Sequence, residues 1–96
     1  MSDESLAAIA SLQHLRQLDL MYGDCRFTLD AVKRLLRGPS RRKLTHLQLW
    51  CCNKFSREVL RQEADAVTQS TGRRLSGFSY KRESFDRHWI LLIDFE

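Results

Sequence analysis

The feature that most restricts this chain is a leucine spacing that returns at a nearly constant period. Leu15, Leu18 and Leu20 form L-x-x-L-x-L; Leu44, Leu47 and Leu49 form it again; Leu75, Phe78 and Tyr80 keep the spacing with aromatic residues. The three runs start at 15, 44 and 75, so the intervals are 29 and 31 residues. Alternation of large apolar side chains over so short a span is the pattern of a strand that buries one face.

A second signal shares the period. Phe27-Thr28, Phe55-Ser56 and Phe85-Asp86 follow the three runs. Each pair reads as a helix start, in which the Thr, Ser or Asp caps free N–H groups and the preceding Phe packs five positions ahead, on Val32, Leu60 or Ile90. From Thr28 the residues Leu29, Val32, Leu35 and Leu36 share one helical face before the Gly38-Pro39 stop. From Ser56 the set Val59, Leu60, Ala64 and Val67 does the same, and Gly72 ends it. Upstream, Ser5 or Ser2-Asp3 caps a helix that buries Leu6, Ile9 and Leu12. The expected order is helix, strand, helix, strand, helix, strand and a tail.

A strand and helix of this combined length cannot bury their own apolar faces, so successive units must stack into a shared core. Helical crossovers make consecutive strands parallel. The expected fold class is therefore α/β: a short solenoid with parallel strands on the concave face and helices on the convex face. All 96 residues form one domain, divided into units at about 15–43, 44–74 and 75–96.

The second unit, Leu44-Thr45-His46-Leu47-Gln48-Leu49-Trp50-Cys51-Cys52, matches L-x-x-L-x-L-x-x-C position by position and resembles the leucine-rich repeat family. The continuation Asn53-Lys54-Phe55-Ser56-Arg57-Glu58-Val59-Leu60 is similar to the cysteine-containing and ribonuclease-inhibitor-like subclasses, and the resemblance extends over 6–82. It implies the leucine-rich-repeat form of the solenoid, with Cys52 holding the turn after the strand as a buried thiol. It also implies a protein-binding module of the kind carried by F-box-type substrate adaptors, although no F-box-like segment is present. The chain opens inside a repeat's helix, which reads as a fragment, a short paralogue or a truncated gene product.

The tail, residues 87–96, reads either as a fourth helix capped by Asp86 or as a strand. The run Trp89–Phe95 has bulky residues on both faces and no Ala or Lys, which favours the strand. It would return as a hairpin on the third strand and act as a terminal lid over an open edge.

Strand alternation turns the residues between the leucines toward the concave side. Stacked in parallel, they form columns: Gln17, His46 and Gly77; Asp19, Gln48 and Ser79; Met21, Trp50 and Lys81; Tyr22, Cys51 and Arg82. The expected partner-binding residues are Gln17, Asp19, Met21, Tyr22, His46, Gln48, Trp50, Ser79 and Lys81, with Trp50 as the anchor. The competing reading has Trp50 folded over Leu49 and Cys52 as ordinary core. The whole surface depends on three ladders lying side by side in one parallel order.

Other functions find less in the sequence. Arg37, Arg41-Arg42-Lys43 and Arg73-Arg74 follow the helices and could form an electropositive rim for nucleic acid or a phospho-ligand, but cations there also offset helix dipoles. A net charge of +4 is modest for a dedicated nucleic-acid binder, and no aromatic stacking platform adjoins the basic loops. His14, His46 and His88 stand apart, and Cys51-Cys52 are adjacent, so no metal-ligand spacing arises and no cofactor is expected. No catalytic motif assembles, so the chain is not expected to be an enzyme or to take a small molecule. Three cysteines make a disulfide framework improbable and place the chain in a reducing compartment, cytosol or nucleus. The longest apolar run, 89–93, is far short of the roughly 18 residues that span a bilayer, so no membrane partner is expected.

Overall fold

A computed structural model of the chain describes residues 3–20, 28–51, 54–82 and 89–96. The elements, in chain order, are α1 (Asp3–Ala10), β1 (Gln17–Leu20), α2 (Leu29–Leu36), β2 (His46–Cys51), α3 (Arg57–Thr71), β3 (Leu75–Arg82) and β4 (Trp89–Phe95).

The helix ends follow from local chemistry. Thr28 has extended backbone, and its hydroxyl accepts from the Ala31 N–H at 3.3 Å. Its own N–H and hydroxyl donate to the Asp3 carboxylate at 2.8 and 2.9 Å, which ties the start of α2 to the first turn of α1. Ser56 caps α3 by accepting from the Val59 N–H at 3.4 Å. Gly72 closes that helix at φ 71°, a left-handed conformation that a Cβ disfavours, with its N–H on the Thr68 carbonyl at 2.9 Å. Helix α1 ends at Ala10, so Leu12, expected to be buried, lies beyond it and is 50% exposed.

The strands form one mixed sheet in the order β1-β2-β4-β3. Strands β1 and β2 are parallel, with Leu18 opposite Leu47 and Leu20 opposite Leu49. Strand β4 runs antiparallel to β2 on one side and to β3 on the other. Leu6, Leu47, Leu49, Leu60, Leu91 and Ile93 are 0% exposed and share one core with Val32, Leu35 and Leu36 of α2 and Val67 of α3. Each such side chain contributes about 1.5–3 kcal/mol on leaving water. All three helices thus cover the same face of the sheet.

This arrangement overturns the solenoid. The third leucine-type run does not join the second in a parallel ladder, because β4 fills the space between them. The tail is a strand, but not a lid on an edge: it is the strand with neighbours on both sides next to β3. Side-chain distribution gives the reason. In β4, Leu91, Ile93 and Phe95 face the helices while Ile90 and Leu92 are half-buried on the other side, which suits a central strand. The alternate residues of β3 on that other side are Gly77, Ser79 and Lys81, small or polar, which suits an edge. The helix expected after Phe85-Asp86 is likewise replaced. Those two residues lie outside the described ones, and Ile90, its expected staple, belongs to β4.

Polar contacts fasten the loops beneath the sheet. Ser40, 3% exposed, accepts from the Leu15 N–H at 3.0 Å and donates to the Leu12 carbonyl, binding the loop before β1 to the loop before β2. Gly38 lies so close to the end of α1 that a Cβ there would be 2.7 Å from the Ala10 carbonyl oxygen.

Candidate interaction face

The register places the expected residues in rows, each with a β4 residue inserted. The first row is Gln17, His46, Asp94 and Gly77; the second is Asp19, Gln48, Leu92 and Ser79; the third holds Trp50, Ile90 and Lys81. Paired residues in neighbouring strands share a face, so all of these lie on the side away from the core leucines. No described helix or strand covers that side.

The parallel three-strand stack is thus corrected: Gln17, Asp19, His46, Gln48, Trp50, Ser79 and Lys81 still share a surface, whereas Arg82 of the fourth column pairs with Trp89 on the helix side. Gln17, Asp19 and Lys81 are exposed there, and His46, Gln48, Trp50 and Ser79 are half-buried. Met21 and Tyr22, which were to extend it, lie outside the described residues, as does the Cys52 turn position. Trp50 stands on the helix-free face opposite Ile90, not over Leu49 in the core. Sequence reasoning missed Ile90, Leu92 and Asp94 as parts of this face. The apolar run 89–93 marked a strand with bulky residues on both faces but not the strands it joins, and Asp94 lies beyond the run.

The face has an apolar centre and a polar border. Trp50, Ile90 and Leu92 form the centre. On the border, the His46 Nδ1 lies 2.5 Å from the Asp94 carboxylate, with the side chains 32% and 45% exposed. Gly77 leaves room for that carboxylate, since a Cβ there would be 3.2 Å from its Oδ2. Ser79, a hydroxyl on the same face, stands two strands from His46. Strand spacing alone puts it on the order of 10 Å away, beyond the reach of a Ser–His hydrogen bond.

The basic rim is differently disposed from the sequence expectation. Arg37 makes a two-pronged contact with Glu63, Nε to Oε2 at 3.0 Å and Nη2 to Oε1 at 2.6 Å, which joins α2 to α3. Arg73 donates to the Glu96 and Arg41 carbonyls, each at 3.0 Å, and lies over the Phe95 ring at 5.4 Å. Lys43 Nζ is 2.5 Å from His14 Nδ1. Arg42, Lys43 and Arg74 are exposed, and so is most of the Arg37 side chain despite its contact with Glu63.

At the far end of the sheet Tyr80 and Trp89 stack at 5.1 Å, Lys54 lies over the Trp89 ring at 5.4 Å, and the Tyr80 hydroxyl accepts from the Phe55 N–H at 2.8 Å. Beside β3, a groove of about 370 Å³ is lined by Arg57, Glu58, Arg61 and Gln62 of α3 and by Phe78. No sequence signal had marked it, because Phe78 counted there only as a ladder residue. Among the described residues no helix is long and apolar enough to cross a membrane. Compared with protein-family models, with curated proteins and with solved structures, the chain gives no significant match.

Proposed function

We propose that the chain is a non-catalytic protein-binding module that holds a partner polypeptide on the helix-free face of its sheet. The observation that carries this reading is the cluster of Trp50, Ile90 and Leu92 on a sheet face that no described element covers, bordered by Gln17, Asp19, His46, Gln48, Ser79 and Lys81. An apolar, aromatic centre ringed by polar groups is the anatomy of a protein interface, and a central Trp is the residue type most often found to dominate binding energy. The spacing of His46, Asp94 and Ser79 supports binding over catalysis. The leucine-rich-repeat likeness of 44–52 makes a substrate-adaptor setting part of the same proposal, and the odd number of cysteines supports cytosol or nucleus as its compartment.

The alternative, an acidic nucleic-acid or phospho-ligand held by the basic loops, draws less support. Arg37 and Arg73 are engaged within the fold, which leaves Arg42, Lys43 and Arg74 as scattered exposed charges. Affinity capture followed by cross-linking separates the two readings. Trp50→Ala and Leu92→Lys, each verified as folded by circular dichroism, are expected to lose a partner that Arg42→Glu and Arg74→Glu retain, with cross-links at β2 and β4. Loss on the arginine variants alone, with steep salt dependence, would overturn the proposal in favour of the alternative.

A further inference from the structure

Strand β3 is an edge of the sheet, so along one side its alternate N–H and C=O groups point away from β4. Natural edges are usually blunted by proline, by bulges or by charges spread along the strand. Here the register irregularity is confined to the start, between Leu75 and Gly77, and from Gly77 to Arg82 the pairing with β4 is regular. The strand contains no proline, and its charges, Lys81 and Arg82, lie at its end. Helix α3 runs beside this edge, and the groove between them has Phe78 as its apolar wall.

The groove's chemistry is specific in sign. Arg57 and Arg61 line it, the Arg61 guanidinium lying over the Phe78 ring at 5.5 Å. Arg74 precedes the strand and Arg82, on the side of Phe78, ends it, both exposed. Against these stand Glu58 in the lining and Asp65, which pairs with the Arg61 Nε at 3.3 Å. Cations outnumber acids along the edge.

We infer that the β3 edge and the α3 groove together form a second binding site, which takes an extended acidic peptide as a fifth strand. The peptide backbone pairs with β3, an apolar side chain of the peptide packs on Phe78, and its carboxylates meet Arg57, Arg61 and Arg82. Backbone pairing supplies affinity and the pocket beside it supplies selectivity, the general logic of strand addition. Phe78 is on the helix side of the sheet and Trp50 on the opposite side, so this site is independent of the face proposed above.

The test uses the full chain and a short fluorescent peptide of alternating Glu and Val in which one central Phe takes a Glu position, so that the Phe and the carboxylates share one side of the extended peptide. Binding is followed by anisotropy, and amide shifts are mapped by NMR. The expected result is saturable binding with shifts at 77–82 and in the first turns of α3. The double variant Arg57→Glu/Arg61→Glu, changed only at exposed helix positions, should weaken it at least about tenfold through like-charge repulsion. A peptide N-methylated at alternate residues should not bind in one of its two phases, since one phase blocks the hydrogen bonds to β3. Equal binding of both N-methylated forms would overturn the inference and leave charge attraction alone. Shifts on the helix-free face, absence of binding, or dilution-sensitive self-association through β3 without peptide would overturn it as well.

Discussion

Replacing Gly38 by alanine sets two opposed effects against each other. Gly72 is the described glycine with positive φ, so the backbone at Gly38 accepts an L side chain, and alanine would restrict the unfolded chain. Where the site has room, that restriction stabilises by about 0.4–1 kcal/mol. At Gly38 there is no room: the new Cβ would lie 2.7 Å from the Ala10 carbonyl and 3.2 and 3.3 Å from those of Arg34 and Leu35. All three obstacles are backbone, so relief requires α1 to move off the end of α2, an overpacking cost of about 1–3 kcal/mol. The expected net effect of Gly38→Ala is a loss of roughly 1–2 kcal/mol, or a fall in Tm of about 4–16 °C for a domain of this size. Gly72→Ala provides the contrast. Nothing lies within 4 Å of its Cβ position, so only the φ of 71° opposes it, at about 1 kcal/mol. Urea titration gives both magnitudes, and native-state hydrogen exchange separates the causes: Gly38→Ala should reduce protection in α1 selectively, whereas Gly72→Ala should leave α1 unaltered. A Gly38→Ala protein as stable as the parent, with α1 fully protected, would refute the docking of α1 on α2.

Three further perturbations probe other contacts. Arg37→Ala leaves the 7%-exposed Glu63 without its guanidinium and should cost about 1–3 kcal/mol by urea titration, while an Arg37→Met/Glu63→Leu pair should recover most of that loss. Tyr80→Phe strips the buried Phe55 N–H of its acceptor and should cost about 1–2 kcal/mol with the Tyr80–Trp89 stack retained, as near-ultraviolet circular dichroism would show. Thr28→Ala removes the cap of α2 and the hydroxyl bond to Asp3 while the backbone N–H bond to Asp3 stays, and is expected to lower stability by about 1–2 kcal/mol; Thr28→Ser should restore most of it.

Local signals in the sequence were legible because they rest on contacts a few residues long. Thr28 and Ser56 cap the helices where they stand, Gly72 terminates α3, and the alternation at Leu47 and Leu49 puts both in the core. The strand character of Trp89–Phe95 also followed from its β-branched and aromatic content. What periodicity could not supply was adjacency. The spacing of Leu75, Phe78 and Tyr80 fixes which way those side chains point, but any strand of matching alternation satisfies the neighbouring position beside Leu49. Leu91 and Ile93 satisfy it better than Tyr80 and Phe78 do, because β4 carries apolar residues on both faces and β3 does not. The candidate face was therefore readable on the β1 and β2 side through Gln17, Asp19, His46, Gln48 and Trp50. It was unreadable at Ile90, Leu92 and Asp94, which enter only through a non-local pairing. The role of Arg37 was hidden for the same reason: its partner Glu63 is on another helix.

Interstrand nuclear Overhauser effects among the backbone protons of residues 46–51, 75–82 and 89–95 bear most directly on the sheet order from which both proposed surfaces are built. Cross-peaks that join Leu49 to Leu91 and Leu91 to Tyr80 in antiparallel register, with none directly between β2 and β3, are the predicted result. Cross-peaks that join Leu49 and Trp50 to Tyr80 and Lys81 in parallel register would contradict it, since Ile90 and Leu92 would then leave the centre of the face and β3 would no longer be an edge.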